Sequence, residues 1–234
     1  MIPETVAEFG GYTTTIVGEP AGARVAMILV HGTAMTPADL APFAHSMALP
    51  GPTYLPLGPI DSELVPGVPQ GRAWWPTDAA ERLACLAQGA RDLADTHPVG
   101  LEAARARFDG LLDAVLATGV PTIVVGFSAG GMLAFDALVH RARPIAALAL
   151  LSSCRIGAAA HAALLPQRPL AGVPTLISHG DADDDLAFFA GEALRDAAIA
   201  AGADVTWLPF AGGHQVPLVV WRRLRKLALA IARP

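Results

Sequence analysis

Short runs rich in β-branched and aliphatic residues alternate along this chain with longer stretches in which apolar residues recur at helical spacing, and no other feature limits its fold as strongly. The strand-like runs are Tyr12 to Val17, Val25 to Val30, Thr122 to Gly126, Ala146 to Leu151, Val173 to Ser178 and Val205 to Leu208. The helical patterns run from Pro37 to Met47, Leu101 to Leu116, Met132 to His140, Leu186 to Ala200 and Val216 to Ile231. Such alternation predicts an α/β protein with a mainly parallel sheet covered on both faces. With 234 residues, 53% of them hydrophobic and 16% charged, one domain spanning 1–234 with a large core is expected. No repeat, charge block or low-complexity linker suggests a second one.

The charge balance excludes several classes of function. Sixteen basic and 21 acidic residues give a net charge of -5, with no electrostatic footprint for nucleic acid. The one basic cluster, Arg222, Arg223, Arg225 and Lys226, reads as the solvated face of a C-terminal helix. MIPETVAEFG carries two acids and no apolar stretch, and no apolar run reaches membrane-spanning length, so a cytoplasmic protein is expected. Cys85 and Cys154 form no metal-binding pair and read as small packing residues.

Three strands, ILVHG, IVVGFS and TLISHG, turn polar at their carboxyl ends, the edge of an open α/β sheet where ligands bind. Between Gly51 and Pro76 the sequence is rich in Pro and Gly and reads as a long loop with one short strand at Thr53 to Leu55, a wall for the pocket.

Gly126-Phe127-Ser128-Ala129-Gly130-Gly131 contains a G-x-S-x-G motif directly after one of those strands and directly before the helical segment MLAFDALVH. A serine on such a turn adopts a strained backbone conformation, flanked by glycines that lack clashing Cβ atoms, and presents its hydroxyl at the ligand edge. A hydroxyl is a poor nucleophile at neutral pH. It needs an imidazole to accept its proton and a carboxylate to hold the imidazole tautomer. The chain supplies both in the order Ser, Asp, His: the acid-rich loop His179 to Asp185 follows TLISHG, and Gly212-Gly213-His214 follows the last strand.

On LVHG at Leu29 to Gly32, GFSAGG at Gly126 to Gly131, HGDAD at His179 to Asp183 and GGHQVP at Gly212 to Pro217, the sequence resembles the phospholipase/carboxylesterase family of α/β-hydrolases, which includes compact bacterial carboxylesterases and acyl-protein thioesterases. The resemblance implies an α/β-hydrolase fold, and its H-G-x-x-D motif places the triad carboxylate on Asp183; because no long insertion follows the strand at Ala146 to Leu151, a compact pocket without a large lid is expected. Asp181 is the second choice, or a turn organiser, and Asp185 reads as an N-cap for a helix starting at Leu186. Asp181, Asp183, Asp185 and Glu192 also occupy EF-hand ligand positions. Leu186 stands where that loop needs glycine, so calcium is discounted.

Acyl transfer also needs amide donors for an oxyanion. Ala129 supplies the first; by resemblance Thr33 supplies the second, with Ala34 as the alternative. His31 and His179 read as loop-holding groups. Of the aromatic residues, Phe127, Trp74 and Trp75 are candidates for the substrate pocket, one Trp as an anchor and one beside the substrate. Where related esterases carry W-F-D, this chain has Trp74-Trp75-Pro76 and lacks the acid. His45, His97, His140 and His161 have no ligand spacing, and neither a Walker loop nor a dinucleotide fingerprint is present, so no metal and no cofactor are expected.

The expected activity is hydrolysis of small carboxylic esters or thioesters through an acyl-enzyme on Ser128. An acyltransferase of the same fold, and a non-catalytic small-ligand-binding protein that uses the hydrolase pocket, stand as alternatives. The oligomeric state is open.

Overall fold

The structure, a computed structural model, describes residues 2–233. Its strands are β1 (Glu4–Phe9), β2 (Tyr12–Val17), β3 (Ala26–Val30), β4 (Thr53–Pro56), β5 (Ile60–Val65), β6 (Val68–Ala73), β7 (Thr122–Phe127), β8 (Ala147–Leu151), β9 (Pro174–Gly180) and β10 (Asp204–Phe210). The helices are α1 (Pro37–Met47), α2 (Ala79–Leu86), α3 (Leu101–Leu116), α4 (Ala129–His140), the single turn α5 (Ala158–His161), α6 (Phe188–Ala200) and α7 (Leu218–Ile231). Eight strands form one sheet in the order β1-β2-β4-β3-β7-β8-β9-β10. It is parallel from β4 to β10 and antiparallel where β2 meets β4 and β1.

The central strands are apolar throughout because both of their faces are buried. Along β3, Ile28 and Val30 join the cluster under α3, α4 and α6, whereas Met27 and Leu29 join the cluster under α1 and α7. Helix α1 starts where the pattern demands: Pro37 occupies its first turn, and the Thr36 amide donates to Asp39 Oδ2 at 2.7 Å.

Helices α2 and α5 are absent from the sequence reading, and two further segments differ from it. Glu4–Phe9, not read as a strand, pairs antiparallel with β2 along the sheet edge; it is almost wholly exposed and carries no alternating apolar signal. The loop expected from Gly51 to Pro76 holds β4 and the antiparallel β5–β6 hairpin. The strands of that hairpin meet at Val65 and Val68 across Pro66-Gly67, where Gly67 takes φ 76°, a conformation that favours glycine.

Candidate active site

The turn between β7 and α4 gives the site its shape. Ser128 adopts φ 52° and ψ −122°, far from the helical and extended basins, and its amide donates to Leu151 O on the next strand. The glycines around it are dictated by close approach. A Cβ on Gly126 would lie 2.4 Å from Gly130 O, and one on Gly130 would lie 2.3 Å from Val30 O and 2.6 Å from His31 O. Only hydrogen at both positions lets α4 start directly against β3, with Ser128 at the carboxyl edge of the sheet.

Two further loops converge on that hydroxyl. His214, after β10, places Nε2 2.9 Å from Ser128 Oγ and Nδ1 2.8 Å from Asp183 Oδ2. The other oxygen of Asp183 accepts the amides of Asp185 and Leu186 at 2.9 and 2.8 Å. Burial pushes the Asp183 carboxyl up, but the hydrogen bond and charge of His214, with the two amides, outweigh it and hold the pKa below the ordinary carboxylate value. Asp181 sits apart from the imidazole, accepting the Gly212 amide at 3.1 Å, and so ties the acid loop to the histidine loop.

Asp185 does not cap a helix: α6 begins at Phe188 with Ala187 before it. Instead Asp185 Oδ1 receives Arg82 at 3.0 Å and Arg91 at 2.6 Å, while Oδ2 lies 3.8 Å from His214 Nε2. Both arginines come from the stretch between β6 and α3, to which the sequence reading assigned no role.

The two amides expected to face an oxyanion differ in how they are held. Ala129 opens α4, so its N–H has no partner in the helix, and the Thr33 amide likewise has no hydrogen-bond partner among the described residues. Ala34, the alternative donor, is engaged: its amide donates to Arg72 O at 2.9 Å, and Arg72 N donates back to Met35 O at 3.0 Å. The β5–β6 hairpin thus buttresses this loop. A Cβ on Gly71 would meet Ala34 O at 2.2 Å, so glycine is needed at the junction. The Pro-Gly pair at the hairpin tip was the sequence signal for it.

His31 and His179 hold loops. Buried His31 donates from Nδ1 to Gly32 O at 2.7 Å and accepts the Gly58 amide on Nε2 at 3.0 Å, which fits the neutral ring. His179 Nε2 donates to Leu186 O at 3.0 Å. Burial lowers the His31 pKa to about 4, against smaller upward contributions from the Gly32 bond and Asp39. Unfolded histidine titrates near 6.5, so the unfolded chain binds the extra proton first. Stability associated with His31 is therefore complete above pH 6.5 and is lost as the pH falls toward 4. Urea unfolding is expected to give about 2 kcal/mol less stability at pH 5 than at pH 7 from this residue alone. That increment should disappear in His31→Gln.

These groups open on a cleft of about 1140 Å³ lined by Ser128, His214, Thr33, Ala129, Phe127 and Trp75, with Met132 and Ile156 deeper. Trp74 does not line it. Its Nε1 donates to His31 O at 2.8 Å and its ring packs on the His31 ring at 4.5 Å, so it anchors the loop behind the site. Cys85 also differs from its reading as a packing residue: it is exposed on the cleft wall, whereas Cys154 is buried, its thiol pushed up to about 12. Away from the cleft, Asp136, His140 and His161 come together, but Arg105 already donates to Asp136 Oδ2 at 2.9 Å and His161 to Oδ1 at 2.9 Å. The guanidinium lies among them and neutralises the carboxylate, so these residues form a hydrogen-bonded ion cluster, in which His161 Nδ1 is buried without a partner among the described residues, rather than a cation cage. No helix of the described residues is long and apolar enough to cross a membrane.

The profile of the family described as Phospholipase/Carboxylesterase matches residues 14–226, nearly the whole chain. The chain belongs to the phospholipase/carboxylesterase family. Solved structures agree on the α/β-hydrolase fold. Esterase PE8 has a TM-score of 0.70 at 23% identity, covering 98% of this chain and 100% of that one. A carboxylesterase from Mesorhizobium loti has a TM-score of 0.70 at 18% identity over 97% and 98%. Acyl-protein thioesterase 2 from Zea mays has 0.71 at 19% over 94% and 99%. No curated protein sequence matches the chain. In this phospholipase/carboxylesterase family member, residues of the β5–β6 hairpin and of helix α2 line the cleft beside Ser128.

Proposed function

We propose that this phospholipase/carboxylesterase family member is a serine carboxylesterase that hydrolyses small carboxylic esters or thioesters, with Ser128, His214 and Asp183 as its triad. The observation that carries this reading is the unbroken relay from Ser128 Oγ through His214 to Asp183 at 2.9 and 2.8 Å. Ser128 Oγ bonds to the substrate carbonyl carbon as its proton passes to His214 Nε2. The Ala129 and Thr33 amides receive the oxyanion. Collapse breaks the bond to the alcohol or thiol, which leaves with the proton from His214. Water then adds to the acyl-enzyme, giving its proton to His214, and the second collapse releases the acid and restores the Ser128 hydroxyl.

Asp183, ionised and held by two amides, keeps the Nδ1–H tautomer and stabilises the imidazolium. Phe127 and Trp75 bound the space for the acyl or alcohol group. The site needs no metal or cofactor for this chemistry. Its free cysteines fit a reducing compartment such as the cytoplasm, and the chain acts as one domain. Steady release of nitrophenol from 4-nitrophenyl acetate and butyrate tests the reading. Hydrolysis above the buffer rate is expected, and a folded protein that leaves both esters intact would overturn it.

A further inference from the structure

We propose that Arg82 and Arg91 form a carboxylate-binding subsite in the cleft, which directs the enzyme toward half-esters or half-thioesters of dicarboxylic acids. The proposal rests on the reading of Ser128 as the nucleophile and adds the substrate class. Both guanidinium groups line the same cleft as Ser128, and both are largely buried, at 20% and 17% side-chain exposure. They meet on one oxygen, Asp185 Oδ1, at 3.0 and 2.6 Å. Two fixed positive charges thus meet on one carboxylate, Asp185, while the neighbouring Asp183 carboxylate is taken up by His214 and two backbone amides.

Donors are in excess. Each guanidinium carries five N–H groups, and each gives one side-chain hydrogen bond, to the same acceptor atom. Arg91 Nε is buried with no partner among the described residues, so this guanidinium is underused even where water cannot reach it. The backbone fixes Arg91 in place: its amide donates to Asp185 O at 3.0 Å, and its carbonyl accepts the Ala187 amide at 2.9 Å. Of the other acids on the cleft, Asp78 takes the Ala80 and Glu81 amides at the start of α2, Glu81 and Asp184 lie open to water, and half-buried Glu63 takes the Gly67 amide at 2.7 Å. The exposed charges are screened there and weigh less than the buried pair.

Asp185 itself indicates what the pair accepts. A carboxylate already sits between the guanidinium groups, and its other oxygen is 3.8 Å from His214 Nε2, so one carboxyl group and that gap lie between the subsite and the imidazole. A short acyl chain that ends in a carboxylate reaches from Ser128 into the same field, where the planar guanidinium forks match its geometry.

The test compares 4-nitrophenyl hydrogen adipate with its methyl-capped counterpart, whose acyl chain is the same but uncharged. For the wild type, kcat/KM should favour the anionic ester by about tenfold, the low end for hydrogen bonds to a charged group. In Arg82→Gln and Arg91→Gln that ratio should fall toward unity. In Asp185→Asn, which removes the internal competitor, it should rise further, an outcome that a purely structural latch does not produce. Where an arginine variant fails to fold, the Asp185→Asn ratio decides. A wild-type ratio of one or less, or a ratio unmoved in all three variants, overturns the subsite while leaving the esterase reading intact. Loss of turnover on both esters in the wild type would overturn the two together.

Discussion

Ser128→Ala is expected to lower kcat toward 4-nitrophenyl butyrate by roughly a millionfold, and His214→Ala by a similar factor. The reason is geometric. Ser128 Oγ and His214 Nε2 lie 2.9 Å apart, so the hydroxyl is a nucleophile only while the imidazole can take its proton, and the imidazole has no other proton to accept at that step. On the proposed reading the two residues act as one unit. The double variant should therefore be no slower than either single one, and rates that multiplied would show that they work separately. Turnover above water should persist in all three, because the Ala129 and Thr33 amides and the cleft remain. Single-turnover rates with burst amplitudes, measured on variants with unchanged melting temperatures, check this result.

Asp183→Asn should cost about 10⁴-fold in kcat, less than loss of the nucleophile. Asp183 Oδ2 accepts the Nδ1–H of His214 at 2.8 Å, and its Oδ1 accepts two amides that orient the carboxylate. Those amides keep the side-chain oxygen of an asparagine on their own side, which turns its NH₂ toward His214. The imidazole must then carry its proton on Nε2, where it cannot serve as a base for Ser128. Asp181→Asn is the control. Asp181 Oδ1 meets the Gly212 amide at 3.1 Å, a bond that an asparagine carbonyl can keep, so activity should stay within a few-fold of wild type. The reverse outcome, with Asp181→Asn inactive and Asp183→Asn active, would move the carboxylate role to the other acid of the loop.

Much of this site was legible in the sequence because steric necessity writes itself locally. Gly126 and Gly130 are fixed by backbone atoms within 2.4 Å of where a Cβ would stand, and they bracket the residue that the turn presents. The strands were legible for a similar reason: burial on both faces leaves no room for polar residues in AMILV or ALALL. Contacts between distant segments left no such trace. Asp185 looked like a helix cap from its neighbours alone, yet its partners Arg82 and Arg91 lie 103 and 94 residues away. The Arg72 clamp on Ala34 and Met35, which leaves Thr33 as the amide without a partner, likewise depends on pairing between strand β6 and a remote loop. Helix α2 rests on the Asp78 cap and spans eight residues, just one of which, Ala79, is buried, so core packing left little mark on it.

The central claim, that Ser128 is the residue that becomes acylated, is tested most directly by intact-mass and peptide mapping after treatment with a fluorophosphonate. Fluoride leaves as the serine oxygen bonds to phosphorus, so a nucleophile primed by its histidine is marked covalently. One adduct per chain on the peptide that contains Ser128, with esterase activity lost in proportion and no adduct in Ser128→Ala, is the predicted result. Labelling of a different residue, or full activity in a completely labelled protein, would contradict it.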